Sequence, residues 1–287
     1  MRDFLTALHN PEINKGYNTG FEKLDKSING LAKGSLTVIG AGTGVGKSIF
    51  ATQILINLAR QKVPSLYIEL ENGPHITYKR LIQSWLEVDQ DFFKEDNIEK
   101  SEQALKELQE YISVYFYTDL EMMKWGIMDY LNHYRHNKDV FLIDPLGALE
   151  TKINATELLM EQGNLIKKLQ EFCNLHRKSV MLTHHIRKGT SNAKKSSDGE
   201  LLPPEMTIPT LESLRGSSNI TNSAHSVWGL ARNKDSEKKE AREKLYVSIL
   251  KNREGLGGNY QLHFNEQTTS VTDNPTLQDF GYFKPWK

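Results

Sequence analysis

One short stretch limits what this chain can fold into more than any other. Leu36-Thr37-Val38-Ile39 is apolar and β-branched. Ala41-Gly42-Thr43-Gly44-Val45-Gly46-Lys47-Ser48 comes next, and Ile49, Phe50, Ile54, Leu55 and Leu58 then repeat at helical spacing as far as Arg60. A strand thus enters a glycine-rich turn that opens into a helix. Glycines let backbone N–H groups converge on phosphate oxygens without side chains in the way. The helix N-terminus adds a dipole that favours an anion. In this setting residues Ala41, Gly42, Thr43, Gly44, Val45 and Gly46 form a phosphate cradle, Lys47 reaches the β- and γ-phosphates and Ser48 ligates Mg²⁺. The usual pattern opens on glycine, where Ala41 stands here.

The remaining apolar segments extend this unit. Ser35–Ile39, Pro64–Leu70, Val114–Tyr117, Val140–Ile143 and Ser179–Thr183 read as short, nearly continuous apolar strands, alternating with helices over Gly46–Arg60 and Glu161–His176. That alternation predicts an α/β fold with a mainly parallel sheet covered on both faces. Ser226–Ala231, Leu245–Leu250 and Tyr260–Phe264 predict a β-rich C-terminal part. Asp3–His9 suits a short amphipathic helix ended by Asn10-Pro11, so residues 1–15 read as an arm and 16–287 as one motor domain. Gly189–Pro209 reads as a long loop of the functional or disordered kind, and the mixed-charge run Lys234–Lys244 as a solvated hairpin tip.

Strand ends carry the other candidate chemistry. Asp144 closes Val140-Phe141-Leu142-Ile143, at the rim where doubly wound sheets bind nucleotides, and suits a water-mediated hold on Mg²⁺. Glu69 and Glu71 end Ser65–Ile68, and the expected base for the attacking water is Glu71, nearer the rim. His184 and His185 end the strand before Ile186; a histidine there can report the γ-phosphate. Arg187, Lys188, Lys194, Lys195, Arg215 and Gly216 lie in segments suited to a nucleic-acid backbone, without interleaved aromatics for base stacking. Lys251 and Arg253 follow a late strand and precede Gly255; either suits a finger acting in cis or on a neighbour.

Whole-chain charge adds nothing to the nucleic-acid argument. The 287 residues carry 36 basic and 36 acidic side chains, so any basic surface is local. The lone cysteine, Cys173, excludes an internal disulfide, and no apolar run is long enough to span a membrane. The beginning lacks the apolar core of a signal peptide, which makes the cytoplasm, bacterial or of a phage-infected host, the expected compartment.

The motifs together resemble those of the DnaB-type hexameric replicative helicases, above all the helicase half of the T-odd phage primase-helicase and Twinkle. Ala41–Ser48, Leu70-Glu71, Leu142-Ile143-Asp144, His185-Ile186-Arg187-Lys188, Leu214-Arg215-Gly216-Ser217, Leu230-Ala231-Arg232-Asn233 and Ile249-Leu250-Lys251-Asn252-Arg253 come in that family's order. The resemblance covers roughly Tyr17 to Asp273. It implies a RecA-like P-loop NTPase core hydrolysing ATP or dTTP with Mg²⁺, in a ring of six subunits that moves on single-stranded DNA and unwinds duplex at the replication fork.

It also implies roles. Glu71 is then the catalytic glutamate, Asp144 the Walker B aspartate and His185 the γ-phosphate sensor, with His184 in its place if the strand shifts by one residue. Lys251 and Arg253 are the piston and the finger in a neighbour's site, Arg232 and Tyr260 sandwich the base, and the 187–209 and 215–216 loops grip DNA. Asn222 stands where the family usually carries a nucleotide-sensing glutamine, and Thr221 where the phage helicase has an arginine. No primase segment precedes the motor, so the expectation is a separate primase, with a replicative polymerase as a further partner, unless this sequence is a piece of a longer one. A RecA/RadA-type recombinase shares the fold and the nucleotide site. A nucleotide-gated DNA clamp or loader with little turnover is the non-enzymatic alternative.

Overall fold

The computed structural model describes residues 5, 9, 15–116, 126–149, 155–186, 209–211, 213–214, 222–253 and 255–273. Its centre is the segment that dominates the sequence. β1 (Leu36–Ala41) leads through the glycine turn into α2 (Lys47–Arg60), after a short α1 (Glu22–Ile28). β2 (Ser65–Glu69), α3 (Pro74–Leu86), α4 (Ile98–Tyr111), β3 (Ile112–Phe116), α5 (Ile127–Tyr134), β4 (Val140–Asp144), α6 (Ala155–His176) and β5 (Ser179–His185) continue the alternation. β6 (Ser226–Ala231), α7 (Lys239–Arg242), β7 (Lys244–Asn252), β8 (Gly258–Asn265) and β9 (Ser270–Asp273) complete it.

The described strands form one nine-stranded sheet in the order β3-β2-β4-β5-β1-β6-β7-β8-β9. β3 through β6 in that order run parallel, and β7, β8 and β9 add antiparallel neighbours. The expected parallel sheet and β-rich ending are therefore one continuous structure.

Strand alternation sorts the two faces. Ile39, Ala41, Tyr67, Leu142, Met181, Trp228 and Leu230 pack on one side with Phe50, Ile54, Leu55 and Leu58 of α2. Leu36, Val38, Leu66, Ile68, Phe141, Ile143, Val180 and Leu182 face the other side with Tyr130 and Leu131 of α5 and Ile166, Leu169 and Phe172 of α6. Helix α2 buries more than one stripe because α3, α4 and β9 also pack on it. A ring stack anchors its start to α1: Phe21 lies 5.4 Å from Phe50, which meets Trp228 edge-on. The Thr19–Asp25 segment closes on itself, with Asp25 accepting from the Thr19 N–H and hydroxyl and from the Gly20 N–H.

The charged run 234–244 joins β6 to β7 and carries the short α7. It is not wholly the solvated tip expected, since Arg242 donates to Glu266 at 3.1 Å. Nearly all of the 1–15 arm, the 187–208 loop with Arg187, Lys188, Lys194 and Lys195, and Arg215 and Gly216 lie outside the described residues.

Candidate active site

The parallel arrangement brings the C-terminal ends of β1, β2, β4 and β5 to one rim. Gly44 and Gly46 sit at φ +77° and +113°, backbone that an L side chain adopts only under strain. A Cβ at Gly46 would also lie 2.6 Å from the Phe264 ring. Glycine is thus required there both by torsion and by what lies beneath the turn. Lys47, the first residue of α2, is buried, and its Nζ lies 3.6 Å from Asp144 Oδ1. Asp144 is fully buried at the end of β4, held by the Thr183 hydroxyl and, at 3.4 Å, by the Tyr67 hydroxyl.

The two glutamates differ. Glu69 is 1% exposed. Its Oε1 accepts from the Glu71 and Asn72 N–H groups at 2.9 Å each, and its Oε2 from Tyr67 at 2.6 Å and Thr77 at 3.4 Å. Glu71, just past the strand, keeps its carboxylate 54% exposed, with Oε2 3.7 Å from His185 Nε2. Only Glu71 presents a carboxylate to solvent at the rim.

Strand parity separates the histidines. β5 pairs Ala41 with His185 and Gly40 with His184. His185 therefore shares the face of Thr183 and Asp144, whereas His184 turns to the opposite face and is buried. Burial lowers the His185 pKa first and the Lys47 charge lowers it further, against opposing pulls from Glu71 and Asp144. The imidazole is therefore neutral near pH 7 and donates or accepts without carrying charge.

Arg232 follows β6 and braces the phosphate turn. Its guanidinium donates to the Val45 carbonyl at 2.9 Å, the Gly44 carbonyl at 3.1 Å and Glu266 at 2.8 Å, and lies 3.9 Å above the Phe264 ring. Tyr260 does not touch it directly. Tyr260 pairs with Val247, in the lateral row of Ala41 and three strands from β1, with its hydroxyl end beside Gly258. Phe264, which the sequence argument did not single out, occupies the Arg232 face. The signal was available in Tyr260-Gln261-Leu262-His263-Phe264, whose alternation sets Phe264 on the same face one pair further toward the rim than Leu262.

Lys251 and Arg253 occupy the opposite end of the sheet. Antiparallel β7 sets Asn252 against Ser226, which pairs with Thr37 near the start of β1. Four residues of β1 separate that row from Ala41, about 13 Å at the rise of a parallel strand. Both side chains donate to the Asn222 carbonyl, at 3.2 Å and 2.8 Å. This removes the in-cis reading of the finger. Asn222 stands with that pair and away from the phosphate turn of its own chain.

Ser48 and Asp144 supply a hydroxyl and a carboxylate beside Lys47. Mg²⁺ takes oxygen donors, commonly one or two from protein and the rest from phosphate and water, so this donor set fits it. Among the described residues no cluster of three or more His, Cys, Asp or Glu gathers into a closed cage.

Fold and rim together define a RecA-like P-loop nucleotide site. Solved structures share the architecture: the ATPase domain of G40P superposes with a TM-score of 0.75 at 18% identity, covering 95% of this chain and 98% of that one. A DnaB-like replicative helicase solved to show its interactions with primase gives 0.76 at 18%, covering 94% and 66%. The description of the DnaB-like helicase C-terminal domain matches residues 16–273, and the chain belongs to that family. Curated relatives include a probable plasmid replicative DNA helicase of Chlamydia psittaci, 27% identical over 92% of this chain, and the replicative DNA helicase DnaB of Haemophilus influenzae, 24% identical over 92%. The chain spans 57% of the length of each.

Proposed function

We propose that this chain is the motor of a ring-shaped replicative helicase that hydrolyses a nucleoside triphosphate to move along single-stranded DNA and unwind duplex at the fork. The observation that carries the reading is the separation of Lys251 and Arg253 from the Lys47–Glu71 rim of the same chain. A site so divided suits subunits arranged head to tail, each lending its cations to the next.

In this reading Lys47 and the turn amides bind the β- and γ-phosphates. Ser48 and Asp144 hold Mg²⁺, which when bound neutralises charge on the phosphates. Glu71 orients the attacking water and takes its proton, and Arg253 of one subunit stabilises the developing charge in the next. His185, beside Glu71 and followed directly by the 187–209 loop, passes the presence of γ-phosphate to the DNA-gripping segments, among them Arg187, Lys188, Lys194, Lys195, Arg215 and Gly216. ATP or dTTP is the substrate, residues 1–15 serve as the docking arm of a hexamer, a separate primase and a replicative polymerase are its partners, and the cytoplasm is its compartment. The deciding experiment measures nucleotide-dependent unwinding of a forked duplex together with electron microscopy of the protein on single-stranded DNA. Rings that unwind the fork support the helicase, whereas filaments that exchange strands without unwinding would establish a recombinase.

A further inference from the structure

We infer that Glu69 is a positioning residue for hydrolysis: its buried carboxylate fixes the backbone that carries Glu71, and Tyr67 couples it to Asp144. The inference rests on the reading of Glu71 as the group that activates water.

Glu69 has no room to act on water itself. It is 1% exposed, and both its oxygens are occupied by donors from the protein. Two of those donors are the consecutive N–H groups of Glu71 and Asn72, just where the chain leaves β2. The Leu70 N–H still donates to the Asp144 carbonyl at 2.8 Å, and from Glu71 onward the Glu69 carboxylate takes over as acceptor. The carboxylate thus closes the turn from inside and sets the direction in which the Glu71 side chain leaves the rim. Thr77, on α3, donates to the same carboxylate and ties the turn to the following helix.

The other half of the device is the Tyr67 phenol. It lies on the same face of β2, fully buried, 2.6 Å from Glu69 Oε2 and 3.4 Å from Asp144 Oδ2. Glu69 and Asp144 are register partners across β2 and β4, so the hydroxyl stands between two carboxylates that point the same way. A continuous path then runs from Lys47 through Asp144, Tyr67 and Glu69 to the Glu71 backbone, and from the Glu71 carboxylate to His185. The phosphate-binding and water-activating halves of the rim are held in one geometry by buried groups that touch neither phosphate nor water.

The test compares Glu69→Ala, Glu69→Gln, Tyr67→Phe and Glu71→Gln for nucleotide affinity, by fluorescent-analogue binding, and for kcat. A displacement of about 1 Å at a reacting group lowers rate by about a hundredfold. Glu69→Ala should therefore lose about tenfold to a hundredfold in kcat with affinity changed less than about threefold, and Glu69→Gln, which keeps an acceptor for the two N–H groups, should recover most of it. Tyr67→Phe should lower kcat by about threefold or more at unchanged affinity, and it carries the test if Glu69→Ala does not fold. Full turnover in Tyr67→Phe and in any folded Glu69→Ala, or a loss of affinity as large as the loss of kcat, overturns the inference while Glu71→Gln remains inactive. A fully active Glu71→Gln overturns the underlying reading instead, and if Glu69→Gln is then the dead variant, Glu69 is itself the base.

Discussion

In the proposed mechanism Lys47 and Glu71 act on opposite sides of the transferred phosphoryl group, so their loss should be distinguishable. Lys47→Ala removes the charge expected on the terminal phosphates, while Asp144 keeps the Thr183 hydroxyl as a donor. We expect a folded protein that neither hydrolyses nucleotide nor unwinds DNA, read by circular dichroism beside a turnover assay. Glu71→Gln should keep shape and binding while removing the proposed base, and hydrolysis should fall at least about a hundredfold. His225 gives a prediction on stability rather than rate. Its Nδ1 accepts from the Leu36 N–H at 3.1 Å, which requires an unprotonated nitrogen, and burial followed by the Arg253 and Lys251 charges lowers its pKa. The unfolded chain then binds a proton near pH 6.5 that the folded chain resists. This contribution is constant above that pH and is lost as pH falls from about 6.5 toward the lowered folded pKa. Urea titrations at pH 7.5 and 5.5 should show a smaller drop for His225→Gln than for the parent; equal drops would remove His225 from the account.

Elements explain which parts of the molecule were legible beforehand. The rim positions of the phosphate turn, Asp144 and Glu71 were readable because each lies at or just past the end of a short apolar strand. β1, β2, β4 and β5 were readable because strands buried on both faces carry nearly continuous apolar runs. Helix α4 was not, since only Ala104 and Leu108 of its fourteen residues are buried, too few to show a period. β9 was missed because it is a short, partly polar edge strand. The role of Glu69 was hidden for another reason: sequence shows a carboxylate at a strand end but not the amides and phenol that enclose it. Arg232 belongs at this scale too, because it joins β6 to the turn before α2. Arg232→Ala frees the Gly44 and Val45 carbonyls from a charged donor, and bonds of that kind contribute about 1.5–3 kcal/mol each. Only part of that reaches nucleotide binding, since water replaces the donor, so affinity should weaken about tenfold with little change in kcat at saturation. Isothermal titration beside saturated turnover checks it; an unchanged dissociation constant would mean that the turn holds its shape without the brace.

At the scale of the whole molecule, the proposed function assigns one sheet two half-sites at opposite ends of its strands. The rim at the end of β1 has the glycine turn, the exposed Glu71 carboxylate and a neutral histidine, and the far end has Lys251 and Arg253 gathered on the Asn222 carbonyl. Arg253→Ala should therefore bind nucleotide almost normally yet hydrolyse it poorly, since an arginine finger accelerates phosphoryl transfer by about a thousandfold or more. Mixing makes the stronger test. Lys47→Ala subunits keep a good finger beside a dead turn, and Arg253→Ala subunits the reverse. Mixed assemblies contain interfaces where a good turn meets a good finger, so hydrolysis absent from either variant alone should partly return, rising and falling with the mixing ratio. Unwinding is expected to recover less than hydrolysis, because a ring that hands DNA from subunit to subunit needs most of its sites. No return of hydrolysis at any ratio, with mixed assembly verified by mass spectrometry, would leave the two ends of the sheet unconnected and the ring without its shared site.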